Sequence, residues 1–558
     1  MRLKLLFLML VQASLSMAQE RTLGLLQYEE DSYNGITLFR PNFGTDVFMI
    51  DNCGRLINEW ESDLLPGNSV YFTEDGNLLK TVKTSLTSNP NFVQGGAGES
   101  LQLLDWNNNL VWEYTYSNED HRMHHDVALL PNNNVLILAW ELISEEEAIA
   151  AGRNPDLLKD GVMWGEHIVE VNPSTDEIVW EWHMWDHIVQ DIDDTKENFG
   201  VVADHPELID VNFTAGGTAD GGKNWMQLNA MDYNPTMDQI MLTSPFISEI
   251  YIIDHSTTTE EAASHTGGNS GSGGDILYRW GNPQVYDHGT ADDQKLFFPH
   301  NGHWIEPGLP DGEKIMILNN GQGRPAGNFS TVEIIEPAMD DYYAGTYIYV
   351  PGRSYGPDTP DWTYTADPAT DFFTSFIGSA QRLPNGNTLI CEGANGRFFE
   401  INENEEIVWE YLSPVINTGP LNQGDTIPKL NGRNANIVFR TLRYSEDYSG
   451  FDGLDLTAGV EVESNPLASE CEIFVVSSLG DLSSATLQIY PNPAHNRLQV
   501  RTEELTSEIG INLFDLAGNK ILAAKLISGQ SDLDISGLKS GVYVLKVGDS
   551  SRKIVIER

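Results

Sequence analysis

Imidazole, amide and guanidinium side chains occur together at the starts of strand-like segments, where they could carry out group transfer. His300, Asn301 and His303 directly precede Trp304, and Arg324 follows the next run of alternating apolar residues. An imidazole can act as nucleophile or general acid, and a guanidinium can bind an oxyanion through paired hydrogen bonds. Transfer of a sulfuryl or phosphoryl group needs these roles, because negative charge on three oxygens must be matched and an aryl oxide must be protonated.

Two further polar clusters occupy similar places elsewhere in the chain. His124 and His125 stand before one apolar strand, and Gln227 and Asn229 stand before another. In a closed ring of sheets the innermost strands all face one channel, so residues that are distant in sequence can meet around its axis. We predict that the catalytic groups are His300, Arg324 and His125, and that the substrate-binding groups are His124, Gln227, Asn229, Asn301 and His303.

The elements that must position these side chains are short strands that recur as a unit from Thr22 to about Ser413. Each unit carries an apolar–Trp or apolar–Tyr pair, within Asn58–Trp60, Val111–Tyr114, Val179–Trp182, Leu277–Trp280, Thr346–Tyr349 and Val408–Tyr411. Asn and Gly supply hairpin turns in Leu130–Leu136 and Leu383–Leu389. Ser144–Ala151 is the best helical segment, with a Ser cap and acidic residues in its first turn. One aromatic signature per unit predicts an all-β chain with a six-bladed β-propeller.

The two ends of the chain predict export. Residues 1–18 combine Arg2 and Lys4 with a short apolar run and small residues, which is typical of a signal peptide and too short for a membrane span of ~20 residues. We assign the propeller to residues 19–460, a linker to 461–485 and a small β-sandwich to 486–558. The last segment closely resembles the C-terminal sorting domain of type 9 secretion substrates in Bacteroidetes. This resemblance implies passage across the outer membrane by that machinery, to the cell surface or the medium.

Composition narrows the possible partners. The 82 Asp and Glu residues against 32 Lys and Arg give a net charge of -50, which would repel nucleic acid and anionic membranes. The sequence has three cysteines, Cys53, Cys391 and Cys471, and this odd count without metal-type spacing indicates neither a disulfide framework nor a zinc site. We therefore expect buried free thiols, with a Cys53–Cys391 bridge as the alternative. His183 and His187 could bind a metal, but hydrogen bonding beside Trp-rich strands is favoured, so neither metal nor cofactor is predicted.

Several long motifs resemble those of bacterial arylsulfotransferases, in the same order, over most of Thr22 to about Gly459. They are Ile276–Pro283, His300–Ile305, Ile317–Gly321 and Gln381–Gly393. The resemblance implies a six-bladed propeller that moves a sulfuryl group from an aryl sulfate to a phenol, without a nucleotide donor, through a sulfated histidine. By motif, His300 and Arg324 match the substrate-binding His and Arg of that family.

Two positions depart from the family pattern. Gln227 stands within Asn224–Ala230 where the family has histidine, and no histidine occurs near Gly378–Gln381, where the family nucleophile is expected. His300 and His125 therefore both stay open as the residue that takes the sulfuryl group. A secreted propeller that only binds an extracellular ligand and a sulfatase-like hydrolase are the other open functions. A quinone-dependent dehydrogenase shares the Trp-bearing blades, but it would require a calcium site and more than the six repeats of this sequence.

Overall fold

The computed structural model describes residues 21–214, 222–342, 344–467, 471–474, 488–491, 494–501, 509–514, 520–526, 530–547 and 550–556. The chain divides into two compact units, Met1–Ile473 and Phe474–Arg558. The predicted signal peptide, residues 1–18, and part of the predicted linker 461–485 lie outside the described residues. Strands dominate both units, as the sequence predicts, and no helix among the described residues has the length and apolar character to cross a bilayer.

In the described part of the first unit, six antiparallel sheets of four or five strands follow one another, and the edge strand named first for each sheet below is called its first strand. Sheet 1 contains Val438–Ser445, Gly35–Pro41, Val47–Ile50 and Leu56–Trp60. Sheet 2 contains Leu65–Phe72, Leu78–Lys83, Ser100–Leu104 and Leu110–Thr115. Sheet 3 contains His121–Leu129, Val135–Ser144, Val162–Asn172 and Glu177–His183.

The remaining three sheets repeat this plan. Sheet 4 contains Ala230–Asn234, Gln239–Ser244, Glu249–Asp254 and Tyr278–Trp280. Sheet 5 contains Pro299–Trp304, Ile315–Asn319, Thr331–Ile335 and Trp362–Tyr364. Sheet 6 contains Ser379–Arg382, Thr388–Glu392, Arg397–Ile401, Ile407–Leu412 and Gly24–Tyr28.

The first strands of neighbouring sheets contact one another in order, from sheet 1 to sheet 6 and back to sheet 1. Two strands complete sheets that are formed mainly by the other end of the unit. Gly24–Tyr28 pairs with Ile407–Leu412 at the outer edge of sheet 6, and Val438–Ser445 pairs with Gly35–Pro41 in sheet 1. The backbone hydrogen bonds of these strands therefore tie the two ends of the unit together.

The tryptophans of the repeat markers explain why an aromatic residue recurs. In five sheets the indole N–H donates a hydrogen bond of 2.8–3.1 Å to a group contributed by the next sheet or by a loop joined to it. Four of these tryptophans are buried and Trp112 is half-buried; a buried indole needs such an acceptor, so each hydrogen bond adds a directional contact to the apolar packing. The pairs are Trp60 with Asp105, Trp112 with Asp176, Trp180 with Thr257, Trp280 with Pro357, and Trp409 with Asn52.

The fifth predicted marker, Thr346–Tyr349, is misplaced. Thr346–Tyr347 pairs with Met339–Asp341 in a separate two-stranded ladder, and Trp362–Tyr364 forms the outer strand of sheet 5. The ladder belongs to a long insertion that packs on sheet 4, where the ring of Tyr347 stacks on Tyr278 at 5.0 Å between centroids. A Tyr-rich segment can cover a neighbouring sheet as well as form part of its own, so the aromatic pattern alone does not separate these cases.

The prediction of three free thiols is wrong for two of the cysteines. Cys53 and Cys471 form a disulfide across 418 residues of chain, and Cys391 is buried and free. Cys471 follows the repeats, so their order gives no reason to place it beside Cys53 in the first repeat. The disulfide joins the C-terminal end of the first unit to the turn between two strands of sheet 1.

Helices are few, and the predicted helix is confirmed as Glu145–Ala150 with Ser144 and Glu147 forming a capping box. A second short helix is Thr259–Ala262. Single 3-10 turns are Pro155–Leu157, Met184–Asp186, Val202–Asp204, Pro283–Tyr286, Ala291–Asp293, Ala369–Asp371, Gly393–Asn395 and Ser449–Phe451. Further two-residue ladders are Ile188–Val189 with Ile209–Asp210, Val415–Ile416 with Gly419–Pro420, and Lys429–Leu430 with Arg433–Asn434.

The second unit has two antiparallel sheets in its described residues. One contains Gln488–Tyr490, Arg497–Arg501 and Gln530–Asp534, and the other contains Lys520–Leu526, Ile509–Phe514, Gly541–Val547 and Ser550–Ile556. Alternate side chains of both sheets, such as Leu498, Leu513 and Leu545, are buried in one apolar cluster.

Candidate active site

The first strands carry unusual backbone where the polar side chains stand. Non-glycine residues in the left-handed region occur at or just before the first strands of sheets 2 to 6, at Asn68, His125, Gln227, Asn301 and Ile377. The steric strain of this conformation is largest for a β-branched residue such as Ile377, which has φ of +51°. β-Bulges interrupt the pairing of the first strands in sheets 1, 2, 3 and 5. Bulges and strained residues redirect side chains and are typical of functional sites.

Two histidines and a glutamate form a buried series of hydrogen bonds, which we call the proton relay (Glu166, His124 and His125). Oε2 of Glu166 lies 2.9 Å from Nε2 of His124, and Nδ1 of His124 lies 2.8 Å from Nδ1 of His125. Trp140 stacks on His124 at 4.0 Å between ring centroids, which orients the middle member. All three relay side chains are at most 4 % exposed.

The relay leaves one nitrogen of His125 available. Among the described residues no group hydrogen-bonds to Nε2 of His125, which lies beside the backbone of Gly96. A Cβ atom at Gly96 would approach this nitrogen to 2.0 Å, and Gly96 has φ of +85°, so only glycine leaves room for the ring. With Glu166 ionised, His124 donates to Glu166 and His125 donates to His124, which leaves a lone pair on Nε2 of His125.

His300 is held differently, because both of its ring nitrogens have partners. Its Nδ1 lies 2.7 Å from Oδ1 of Asn320, and its Nε2 accepts a hydrogen bond of 3.2 Å from the backbone N–H of Ile377. These contacts select the neutral tautomer with the proton on Nδ1. The rings of His300 and His125 both face Phe439, at 6.5 and 6.3 Å between centroids. The structure therefore brings these two predicted histidines to one place.

The predicted substrate-binding amides and His303 lie in or just before the first strands of sheets 4 and 5. Oδ1 of Asn301 accepts from the N–H of Ala380 in sheet 6, and Nδ1 of His303 lies 3.0 Å from the carbonyl of Asn301. Nδ2 of Asn229 donates to the carbonyl of Pro299 at 2.9 Å, while its Oδ1 is buried without a partner among the described residues. Gln227 accepts through Oε1 from the side chains of Asn224 and Gln94.

Arg324 lies on the loop after Ile315–Asn319, as the sequence predicts, but its contacts are with that loop and the next strand. Its guanidinium covers the ring of Phe329 at 4.5 Å, and Nη2 donates to the hydroxyl of Thr331 at 3.1 Å. Nε of Arg324 is buried and has no partner among the described residues. No hydrogen bond joins Arg324 to His300 in the described part of the chain, although Asn320, on the same loop, binds His300.

A second guanidinium, that of Arg440, stands among the first strands and is not anticipated by the sequence reasoning. Its Nη2 lies 2.7 Å from Oδ2 of Asp126, and its Nη1 contacts the hydroxyl of Tyr71. Asp126 also accepts from the hydroxyl of Ser69 at 2.7 Å and from the N–H of Met231 at 3.1 Å. One buried ion pair therefore connects the first strands of sheets 1, 2, 3 and 4.

Signals for these missed residues were present but weak. Arg440 interrupts the apolar run Ile437–Phe439, which is an unfavourable place for a charge without a buried partner. Asp126 directly follows His125. Glu166 lies in the apolar strand Val162–Asn172, 42 residues from His124, and no local pattern connects them.

Burial keeps the imidazoles neutral. It lowers the pKa of His300 and His303 to about 4 each, against an ordinary value of 6.5, and the charge of Arg440 acts in the same direction. Burial also holds the pKa of His124 and His125 well below that value. Burial raises the pKa of Glu166 well above its ordinary range, and the hydrogen bond from the N–H of Leu228 acts in the opposite direction. At neutral pH the imidazoles are therefore bases or nucleophiles rather than cations.

Comparison with family models gives two matches. A model described as arylsulfotransferase (ASST) matches residues 25–420, and a model described as a secretion system C-terminal sorting domain matches residues 488–557. The first covers most of the six sheets and the relay, but ends before Arg440. No curated protein matches the chain.

Solved structures of similar arrangement share little sequence with this chain. A protein of unknown function from Bacteroides caccae is 11% identical, over 74% of this chain and 100% of its own, with a TM-score of 0.38. Virginiamycin B lyase from Staphylococcus aureus is 10% identical, over 70% of this chain and 88% of its own, with a TM-score of 0.31. PorZ of the type-IX secretion system of Porphyromonas gingivalis is 11% identical, over 93% of this chain and 50% of its own, with a TM-score of 0.29. At these TM-scores the likenesses support no further conclusion.

Proposed function

The chain belongs to the arylsulfotransferase family, and from this we propose that it moves a sulfuryl group from an aryl sulfate to a phenolic acceptor through His125. The six sheets would be the blades of a six-bladed propeller, with their first strands lining a central channel. The cyclic order of contacts between those strands supports this arrangement. Substrate would enter the channel at the end where the bulged residues stand.

The observation that carries the proposal is the free Nε2 of His125 at the end of the proton relay. A nucleophilic imidazole needs an available lone pair and a base that removes the proton from its other nitrogen. His125 has both, since Nδ1 faces His124 and His124 faces Glu166. Of the two histidines that the sequence left open, His300 is less suited, because a backbone N–H already occupies its Nε2.

The reaction would proceed in two balanced halves. Nε2 of His125 forms a bond to sulfur while the bond from sulfur to the aryl oxygen breaks, and the aryl oxide leaves with that electron pair and takes a proton from water. The Nδ1 proton of His125 passes to His124 as the Nε2 proton of His124 passes to Glu166. In the second half the phenol oxygen attacks sulfur and releases its proton to water. The electron pair returns to Nε2 and the relay protons return to His125.

Other predicted residues would bind the substrate. We propose that Arg324 pairs with a sulfate oxygen through its unpartnered Nε, consistent with its match to the family motif. His303 would approach the sulfuryl oxygens as a neutral group, and His300, Asn301, Asn229, Gln227 and His124 would hold the channel surface in shape. Aromatic side chains such as Phe439 and Phe298 would contact the aryl ring.

The C-terminal sorting domain indicates export across the outer membrane, to the cell surface or the extracellular space. We propose that residues 1–18 act as a cleaved signal peptide and that the type 9 machinery recognises residues 486–558, in a Bacteroidetes host. A mature chain of this kind would meet aryl sulfates and phenols outside the cell.

The test is sulfuryl transfer by purified mature protein from p-nitrophenyl sulfate to phenol. We expect nitrophenol release that rises with phenol concentration, and protein-bound sulfuryl at His125 when phenol is omitted. His125→Asn should abolish both signals, whereas His300→Asn should slow turnover and still accept the sulfuryl group. His205→Asn serves as the control, because His205 is 41 % exposed and pairs with Glu207 away from the relay.

Three results would count against the proposal. Nitrophenol release that does not depend on phenol concentration would indicate a hydrolase. Saturable binding of the aryl sulfate without nitrophenol release would indicate a binding protein. A sulfuryl group found on His300 instead of His125 would leave transfer intact but refute the assignment of the nucleophile.

A further inference from the structure

A second group of histidines lies on the other face of the strand that carries Glu166. His167 follows Glu166 in the strand Val162–Asn172, so their side chains point to opposite faces of sheet 3. His167 pairs across the sheet with His183, and their rings are parallel at 5.2 Å between centroids. Glu141 lies on the neighbouring strand, two residues beyond the partner of His167. Strand alternation therefore places these three side chains on one face.

The three side chains present nitrogen and oxygen atoms to one another. One ligand-type atom from each of Glu141, His167 and His183 lies within 4.8 Å of the others. Two atoms of the group are unsatisfied. Nδ1 of His167, on a residue that is 2 % exposed, and Oε1 of Glu141 are both buried without a hydrogen-bond partner among the described residues. A buried polar atom without a partner costs about 1–3 kcal/mol, which calls for a group that binds it.

The outer nitrogen of each imidazole has its own partner. Nε2 of His167 lies 2.9 Å from the hydroxyl of Tyr116, and Nε2 of His183 lies 3.3 Å from Oε2 of Glu181. Metal-bound histidines commonly make such a contact with their second nitrogen, which orients the ring and sets the tautomer. Nδ1 of His183 lies 2.9 Å from Oε2 of Glu141, whereas Nδ1 of His167 is the unpartnered nitrogen of its ring.

The backbone leaves space at the centre of this group. Gly165 stands opposite Glu141 in the sheet, and a Cβ atom there would lie 2.9 Å from Cγ and 3.0 Å from Oε1 of Glu141. A larger residue at position 165 would push the carboxylate away from the two imidazoles. Glycine at this position keeps the carboxylate beside them.

We propose that Glu141, His167 and His183 bind one divalent transition-metal ion, and that Zn²⁺ is the best match. Two imidazole nitrogens and one carboxylate oxygen are donors that zinc prefers. Zinc bonds of about 2.0–2.2 Å require the donor atoms to draw together from their present separations, which rotation of Glu141 and of the partly exposed His183 allows. The bound ion would connect the second, third and fourth strands of sheet 3.

A similar cluster elsewhere lacks the decisive feature. His187, His265 and Asp275 also bring ligand-type atoms together. In that cluster both Nδ1 atoms lie within 2.8 Å of Oδ1 of Asp275, and Nε2 of His187 contacts the carbonyl of Ala262. None of its three side chains has a buried polar atom without a partner among the described residues, so it provides a matched control.

The experiment uses the full mature protein after treatment with a chelator and dialysis. Isothermal titration with ZnCl₂ should show one equivalent bound, and CoCl₂ should give the visible absorption of four-coordinate Co²⁺. Glu181→Gln should weaken Zn²⁺ binding by about 10-fold to 100-fold, and His183→Gln, which removes a ligand, by more than that. His265→Gln, in the control cluster, should leave the titration unchanged.

The variants also separate binding from misfolding. His183 is 32 % exposed in its side chain, so His183→Gln should keep the thermal transition of the metal-free wild-type protein and lose only the rise on adding Zn²⁺. The proposal is overturned if the wild-type protein takes up no Zn²⁺. It is also overturned if binding survives His183→Gln, or if His265→Gln abolishes it.

Discussion

Glu166→Gln should reverse the direction of both hydrogen bonds in the proton relay, while the glutamine side chain keeps the shape of the glutamate that it replaces. Oε1 of Glu166 accepts the buried N–H of Leu228 at 3.0 Å, so the amide oxygen of glutamine must keep that contact. The amide nitrogen then faces Nε2 of His124 and donates to it. His124 must carry its proton on Nδ1 and donate to His125, which places the remaining proton of His125 on Nε2. The proposed nucleophile loses its lone pair.

The size of the effect follows from comparable tautomer reversals. When a buried carboxylate that orients a catalytic imidazole becomes an amide, the rate falls by about 10⁴ because the wrong tautomer is held. The relay adds one imidazole between carboxylate and nucleophile, and we expect a fall in kcat of about 10³ to 10⁴. At about 1.4 kcal/mol per tenfold change, this corresponds to roughly 4–6 kcal/mol of activation free energy.

The assay measures nitrophenol release from p-nitrophenyl sulfate across a range of phenol concentrations at pH 7. We expect kcat to fall and KM to change little, because Glu166 does not touch the substrate in the proposed mechanism. Glu177→Gln removes a negative charge from an exposed position on the next strand and should match the wild-type protein. An equal melting temperature for wild-type and Glu166→Gln protein checks that the fold is kept. A kcat for Glu166→Gln within about threefold of wild type would refute the relay.

Three further predictions concern stability. Asp126→Asn leaves the buried guanidinium of Arg440 without its carboxylate and should lower the free energy of unfolding by about 3–5 kcal/mol in urea titrations; a loss below about 1 kcal/mol would contradict the role of this ion pair. Burial lowers the pKa of His255, but two carboxylates outweigh this effect and raise the pKa from 6.5 to about 9. The stabilisation that His255 contributes is therefore complete below pH 6.5 and is lost as the pH rises to about 9. His255→Gln should remove this dependence of melting temperature on pH, and an unchanged dependence would exclude His255 as its source. Cys53→Ser should lower the free energy of unfolding by about 2–5 kcal/mol, which is the effect that a reductant should have on the wild-type protein. A further loss of stability when the variant is reduced would indicate a different disulfide.

Local features of the sequence were sufficient for the secondary structure. The hairpin turns after Leu130 and Leu383 form with Asn133 and Gly386 at positive φ, because these residues tolerate that conformation. The capping box at Ser144 forms for an equally local reason. The fifth aromatic marker failed, since an insertion and an outer strand can both be rich in Tyr and Trp.

Part of the candidate site could also be predicted. His300 and His125 stand in strands whose sequence pattern and family motifs indicate a common place, and their rings do face the same Phe439. Arg324 lies on the loop that also contains Asn320, the partner of His300, but its own contacts are with Phe329 and Thr331. Gln227 lies just before the first strand of sheet 4, at the position where the family pattern has a histidine.

The sequence by itself determined the strand content, five of the six repeat markers, the export signal at the C-terminus and the membership of the family, because each depends on residues close together in the chain. Only the tertiary structure decided that Glu166 orients His124, that Arg440 rather than a nearer cation pairs with Asp126, and that Cys53 joins Cys471. Those partners are 42, 314 and 418 residues apart. Their pairing depends on how the six sheets meet, and a carboxylate, guanidinium or thiol has no local pattern that identifies its partner across such distances.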